Sequence, residues 1–254
     1  MKRRIGFLAM VLALAIVFTT LFGGITAMAA TETRSFTNAA ELFAYVHDGY
    51  NQGEKGPITI TQGSLKAGVS NKTVYLVTLS GTEMVFNQST EFLTDLFSGF
   101  DLHNAYYCNV VRVITGKIPA GANLVLAGHS LGGMVAQQVA ADTAIKSRYN
   151  ILNTVTYGSP LLSVGNREGA VRRLGDVSDP VPFLSGRLFT NPITAIFGLN
   201  REDGGYYLRP ITAHKNSYLR EDLWGRYDIT GTKFGSAKLT LDLSTRQFFQ
   251  SPIF

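Results

Sequence analysis

Residues 124–145 leave little freedom in how they fold. Leu124 to Ala127 is an apolar run of strand length, Leu131 to Ile145 is Ala-rich and helix-like, and Gly128-His129-Ser130-Leu131-Gly132-Gly133 joins them. A strand that passes into a helix within so few residues needs glycine where the two converge, because a side chain there would strike the opposing backbone. The serine at the tip must then take a strained conformation with its hydroxyl turned outward. It also stands at a helix N-terminus, where unpaired N–H groups and the helix dipole stabilise negative charge. A glycine-rich turn that happens to contain serine is the plainer reading, and the flanking strand and helix argue against it.

Elsewhere, strand-like and helix-like stretches alternate, which predicts an α/β fold with a central, mostly parallel sheet flanked by helices. Asn38 with Glu41 has the spacing of a capping box for a helix carrying Leu42, Phe43 and Val46 and ending near Gly49. Pro57 to Thr61, Val74 to Leu79 and Leu152 to Tyr157 read as strands, Leu102, Tyr106, Val110 and Val113 fall at helical spacing, and Tyr227 to Phe249 reads as a terminal hairpin.

The first thirty residues stand apart. Lys2, Arg3 and Arg4 precede Ile5 to Phe22, which hold no charge, and Ala27-Met28-Ala29 supplies a small-x-small cleavage pattern. Residues 1–29 are therefore expected to be an export signal, residues 30–254 one domain, and the mature protein secreted. The apolar run approaches the length of a membrane span, so an uncleaved anchor is the alternative. The formal charge is +5, but the three leader residues account for most of the excess. What remains is too small and scattered for a nucleic-acid surface. The single cysteine, Cys108, forms no internal disulfide and no cysteine-rich zinc site. A monomer is expected.

A serine hydroxyl becomes a nucleophile when a histidine takes its proton and an acid orients that histidine. His47 lies on the N-terminal helix, His103 precedes the next strand and His129 adjoins the serine; each reads as structural. His214 alone follows all the core strands and satisfies the order serine, acid, histidine. Asp179, in Val177-Ser178-Asp179-Pro180-Val181-Pro182, is preferred as the acid because two prolines stiffen its loop; Asp176, explicable as a turn residue after Gly175, is the competitor.

With Ser80-Gly81-Thr82 upstream and Tyr157-Gly158-Ser159-Pro160 followed by Val164-Gly165-Asn166 downstream, the chain resembles the class 3, fungal-lipase-like triacylglycerol lipases from about Val74 to Tyr218. The resemblance implies an α/β-hydrolase fold and carboxylic-ester hydrolysis through an acyl-enzyme. It places the nucleophile at Ser130 within the elbow Gly128, His129 and Gly132, the acid at Asp179 and the base at His214. The oxyanion hole would be the backbone N–H groups of Leu131 and Thr82. No metal or cofactor is implied, and the partner would be a lipid or other ester, with transient contact to a lipid surface.

In the family a lid helix and a longer segment follow the oxyanion strand, whereas here only Glu83 to Phe100 fills that gap. The lid is therefore short, though Phe86, Phe92, Leu93, Leu96, Phe97 and Phe100 keep it apolar. Ser185 to Ile211 forms a second insertion, with Phe189, Ile193, Ile196, Phe197 and Leu199, and the two segments could wall a hydrophobic cleft. A short lid favours an esterase or an A1-type phospholipase over an interfacially activated lipase. An acyltransferase would use the same serine, and a non-catalytic lipid-binding protein is the remaining alternative. Tyr206, Tyr207 and Trp224 fit either interfacial or core positions.

Overall fold

The computed structural model describes residues 32–50, 56–81, 105–184, 196 and 198–251. Asn38 opens the first helix as its spacing predicts. Its side chain accepts the Glu41 N–H at 2.9 Å, and the Glu41 carboxylate accepts the Asn38 N–H at 3.3 Å, so two N–H groups at the helix end are satisfied reciprocally. This helix, α1 (Ala39–His47), buries Leu42, Phe43, Tyr45 and Val46.

Among the described residues nine strands form one sheet: β1 (Thr33–Phe36), β2 (Ile58–Ala67), β3 (Ser70–Leu79), β4 (Asn123–His129), β5 (Asn150–Tyr157), β6 (Ala170–Asp176), β7 (Leu199–Glu202), β8 (Lys238–Asp242) and β9 (Gln247–Phe249). Their order is β1-β8-β2-β3-β4-β5-β6-β7, with β9 also on β2. Strands β3 to β7 are mutually parallel, and β2 is antiparallel to β3, β8 and β9. The remaining helices are α2 (residues 105–117), α3 (Leu131–Ala141), α4 (Thr143–Arg148), α5 (Pro210–Asn216) and α6 (Glu221–Trp224).

Strand periodicity decides where the helices go. Leu76, Val125, Ala127 and Val155 point to one face, with Phe43 of α1, Tyr218 and Trp224. Their neighbours Val77, Leu79, Leu124 and Leu126 point to the other, against Tyr106, Val110 and Ile114 of α2 and Met134 and Val135 of α3. A sheet apolar on both faces must be covered on both, which is why its strands read as continuous apolar runs. The expected α/β-hydrolase architecture is present.

Three local expectations need correction. The helix from Leu131 to Ile145 breaks at Asp142, whose backbone is extended (φ −64°, ψ 128°) and whose carboxylate accepts the Ile145 N–H at 2.8 Å to start α4. A side chain that caps a new helix ends the old one. Strands β2 and β3 run past the expected boundaries into a long hairpin turning at Gly68; their outer residues are mostly exposed and polar, so no apolar pattern marked them. Tyr227 to Phe249 is not a hairpin. Strands β8 and β9 both run antiparallel along β2, forming one strand line interrupted by the single turn Leu243–Thr245, with β8 inserted between β1 and β2. The chain before them is a loop folded around Asp228, which accepts N–H groups from Thr230, Thr232 and Ala237.

The described residues from Thr33 onward belong to one compact unit. The expected leader at 1–29, Thr82, His103 and the expected lid at Glu83 to Phe100 lie outside the described residues, as do 185–195 and 197 of the expected second insertion. Trp224 is core: fully buried, it donates its indole N–H to the Ser217 carbonyl at 3.1 Å. Tyr207 is exposed.

Candidate active site

Strand β4 ends at His129, and the chain turns into α3 at Ser130 with φ 53° and ψ −122°. A non-glycine residue with positive φ is held there by its surroundings. Ser130 donates its N–H to the Tyr157 carbonyl at 2.9 Å, tying the turn to β5. The glycines on either side are demanded sterically. A Cβ on Gly128 would lie 2.5 Å from the Gly132 carbonyl oxygen, and one on Gly132 would lie 2.1 Å from that of Leu79. Leu131 is the first residue of α3, where backbone N–H groups have no partner within the helix.

Asp179 and His214, expected from the sequence as acid and base, lie further along the chain. Asp179 follows the carboxyl end of β6 and is held by the short turn at Val181–Phe183. His214 lies on α5, and its Nδ1 is 2.9 Å from Asp179 Oδ2. The same oxygen accepts the Tyr218 hydroxyl at 2.7 Å, and Oδ1 accepts the Val181 N–H at 3.0 Å. A carboxylate only accepts, so the imidazole proton sits on Nδ1 and leaves Nε2 as the basic nitrogen. Both residues are buried, as is Tyr218, whose hydroxyl burial pushes far above its ordinary range so that it remains a donor. Gly158, at φ 53°, passes close beneath the pair: a Cβ there would meet Asp179 Oδ2 at 2.8 Å and His214 Nδ1 at 3.0 Å.

Asp176, equally buried, is engaged elsewhere. Its carboxylate accepts the N–H groups of Ser178 and Gly204 at 2.8 and 3.0 Å and the Ser217 hydroxyl at 2.5 Å. It braces the loops around α5, and Asp179 is the carboxylate on His214. Arg173 of β6 ties two of these loops together by donating to the carbonyls of Ser159 and Pro182. Burial, with the nearby Arg167 charge adding to it, pulls its pKa down to about 9.

His129 brings the two halves together. Its ring lies 4.6 Å from that of His214, centroid to centroid, and its Nε2 is 3.0 Å from the His214 carbonyl oxygen. A Cβ on Gly81, just beyond β3, would lie 3.0 Å from Ser130 Cβ. The ends of β3, β4 and β6 thus converge at the carboxyl edge of the parallel strands, the edge at which open α/β sheets gather chemistry. Of the residues singled out in the sequence, the structure gathers Gly128, His129, Ser130, Leu131, Gly132, Asp179 and His214 here. Tyr50, whose hydroxyl lies 2.8 Å from His129 Nδ1, carries no signal in the sequence, and the close approach of Gly158 to Asp179 and His214 is likewise visible only in the fold. Among the described residues no cluster of His, Cys, Asp and Glu could hold a metal ion.

A family profile described as Lipase (class 3) matches residues 28–185, more than half of the chain. The chain belongs to the class 3 lipase family. The match takes in the elbow, Ser130 and Asp179; His214 lies beyond its end and rests on the geometry above. Neither the curated proteins nor the solved structures contain a match to the chain. Class 3 lipases have the α/β-hydrolase fold, and their chemistry is the hydrolysis of lipid esters.

Proposed function

We propose that this class 3 lipase cleaves carboxylic esters of lipids through an acyl-enzyme on Ser130. The observation that carries the reading is the buried Asp179–His214 hydrogen bond of 2.9 Å, with the His214 ring 4.6 Å from that of His129, the residue before a serine held at positive φ on a strand-to-helix turn. His214 Nε2 takes the Ser130 hydroxyl proton as the oxygen attacks the ester carbonyl. The imidazolium is stabilised by Asp179, to which it is already bonded through Nδ1. The carbonyl oxygen becomes an oxyanion, held by the Leu131 N–H and by Thr82. His214 then gives its proton to the departing alcohol, the acyl group remains on Ser130, and water repeats the sequence to release the acid. Each oxyanion donor in such a site is worth about 10²- to 10³-fold in turnover.

The leader composition supports secretion after cleavage near Ala29. The test is hydrolysis of p-nitrophenyl esters from short to long acyl chains, and of a phospholipid, by the mature domain and its Ser130→Ala variant. Ester turnover that disappears in the variant is expected, and the chain-length profile then separates esterase, lipase and phospholipase. A folded protein inactive on every ester would refute the reading.

A further inference from the structure

Tyr50 and His129 do no chemistry in the scheme above, yet their polar atoms lie at three connected hydrogen-bond distances. Tyr50 Oη is 2.6 Å from the Gly81 backbone nitrogen and 2.8 Å from His129 Nδ1, and His129 Nε2 is 3.0 Å from the His214 carbonyl oxygen. Proton directions follow without choice. A carbonyl oxygen only accepts, so Nε2 of His129 carries the hydrogen. Burial, and then the neighbouring His214, hold the His129 pKa well below the ordinary histidine range, so the ring is neutral and Nδ1 is an acceptor. The Tyr50 hydroxyl must therefore donate to Nδ1, and its oxygen accepts the Gly81 N–H.

Resting on the reading of Ser130 and His214 as nucleophile and base, we infer that Tyr50 and His129 form a positioning relay that fixes the end of β3 against the elbow and the base. One end of the relay holds the Ser80–Gly81 peptide, where a Cβ on Gly81 would sit 3.0 Å from Ser130 Cβ. The other holds the backbone of His214, whose side chain is fixed separately by Asp179. The side chain of the residue before the nucleophile thus reaches past its own turn to the chain segment that carries the base. Phe43 and Tyr218 close on the His129 ring at 5.1 and 5.8 Å, which keeps it in place and away from water. The relay touches no reacting atom, so removing it lowers turnover more than ground-state binding.

The test compares wild type with Tyr50→Phe, His129→Phe, His129→Gln and the Tyr50→Phe/His129→Phe double variant on p-nitrophenyl butyrate. Turnover is expressed per serine titrated by a p-nitrophenyl phosphonate, so misfolded protein drops out. Tyr50→Phe is expected to lower kcat about tenfold, with KM changed by less than about twofold, from the loss of one buried hydrogen-bonded link. His129→Phe loses at least as much. His129→Gln, which restores a donor for the His214 carbonyl, recovers part of that loss. The double variant loses no more than the worse single one, because one chain broken twice is still one broken chain. Unchanged kcat per titrated serine in Tyr50→Phe, or additive losses in the double variant, would overturn the relay. Its hydrogen bonds are also read without turnover, by ¹⁵N-detected NMR of the imidazoles. A His129 ring protonated at Nε2, whose Nδ1 resonance shifts in Tyr50→Phe, supports the relay; protonation at Nδ1 alone overturns it. An inactive wild type would defeat the ester-hydrolase reading through the assay while leaving this spectroscopic result to stand by itself.

Discussion

Exchanging Asp179 for Asn keeps the volume of the side chain and removes one acceptor. Three donors converge on this carboxylate: His214 Nδ1 and the Tyr218 hydroxyl on Oδ2, and the Val181 N–H on Oδ1. A carboxamide offers one oxygen and one NH₂ group. If its oxygen stays with Val181, the NH₂ faces His214 and forces the tautomer protonated on Nε2, which cannot take the serine proton. If its oxygen turns to His214, the Val181 N–H meets another donor inside a site closed to solvent. The wrong tautomer in a Ser-His-Asp site costs about 10⁴-fold in kcat, which corresponds to about 5 kcal/mol of transition-state stabilisation. Asp176→Asn is the matched control, three positions earlier and equally buried, where Ser178, Gly204 and Ser217 supply the donors. Deleting that acceptor should cost about 1–3 kcal/mol of stability, read as a fall of about 2–4 °C in Tm per kcal/mol for a chain of this size. Its kcat should stay within about tenfold of wild type, a change of 1.4 kcal/mol or less. The assay is ester turnover per phosphonate-titrated serine, with thermal melts of the same preparations. Equal kcat losses in the two variants would refute the assignment of Asp179 over Asp176.

Gly158→Ala, which forces a Cβ at positive φ to within 2.8 Å of Asp179 Oδ2, should displace the acid–base pair and cost about 10²-fold in kcat; unchanged turnover would contradict the close approach. Asp142→Ala removes both the cap of α4 and the acceptor of the Tyr107 hydroxyl, so a stability loss of about 1–2 kcal/mol without loss of kcat is expected in urea unfolding. His129 is buried neutral beside His47 and His214, and its folded pKa lies well below the ordinary histidine value. In acid the unfolded chain therefore binds a proton that the folded chain refuses, and stability falls as pH drops from the ordinary histidine range toward the lowered folded value. Tm measured against pH should show a shallower acid decline in His129→Phe than in wild type; parallel curves would exclude His129 as the source.

Much of this was legible because it was local. The capping box at Asn38 and Glu41, the apolar strands on either side of Ser130 and the glycines of the elbow are dictated by neighbours a few residues away. Asp179 was separable from Asp176 in the sequence only through its flanking prolines, and what decides between them is a partner on α5, 35 positions later. Tyr50 left no mark, because its role depends on Gly81 and His129 coming together in three dimensions. The break at Asp142 was readable in principle, as an Asx cap inside an Ala-rich run. At the C-terminal strands, alternation around glycines describes a hairpin and an interrupted strand equally well, and only pairing with β2 distinguishes them.

The insertion of β8 between β1 and β2 bears on the order in which the molecule can be built. Ser35 and Thr240 face each other across that pairing, hydroxyl to hydroxyl at 3.0 Å, although 205 positions separate them. Strand β1 has no place in the sheet until β8, far along the chain, arrives beside it. The parallel strands β3 to β6 can assemble while the chain is still growing, but the outer edge of β2 stays open throughout that time, a row of unpaired backbone groups able to recruit another chain. Closing so long a loop is slow. Completion of the sheet therefore waits for β8, and the interval before it arrives is when this protein is most exposed to misassembly.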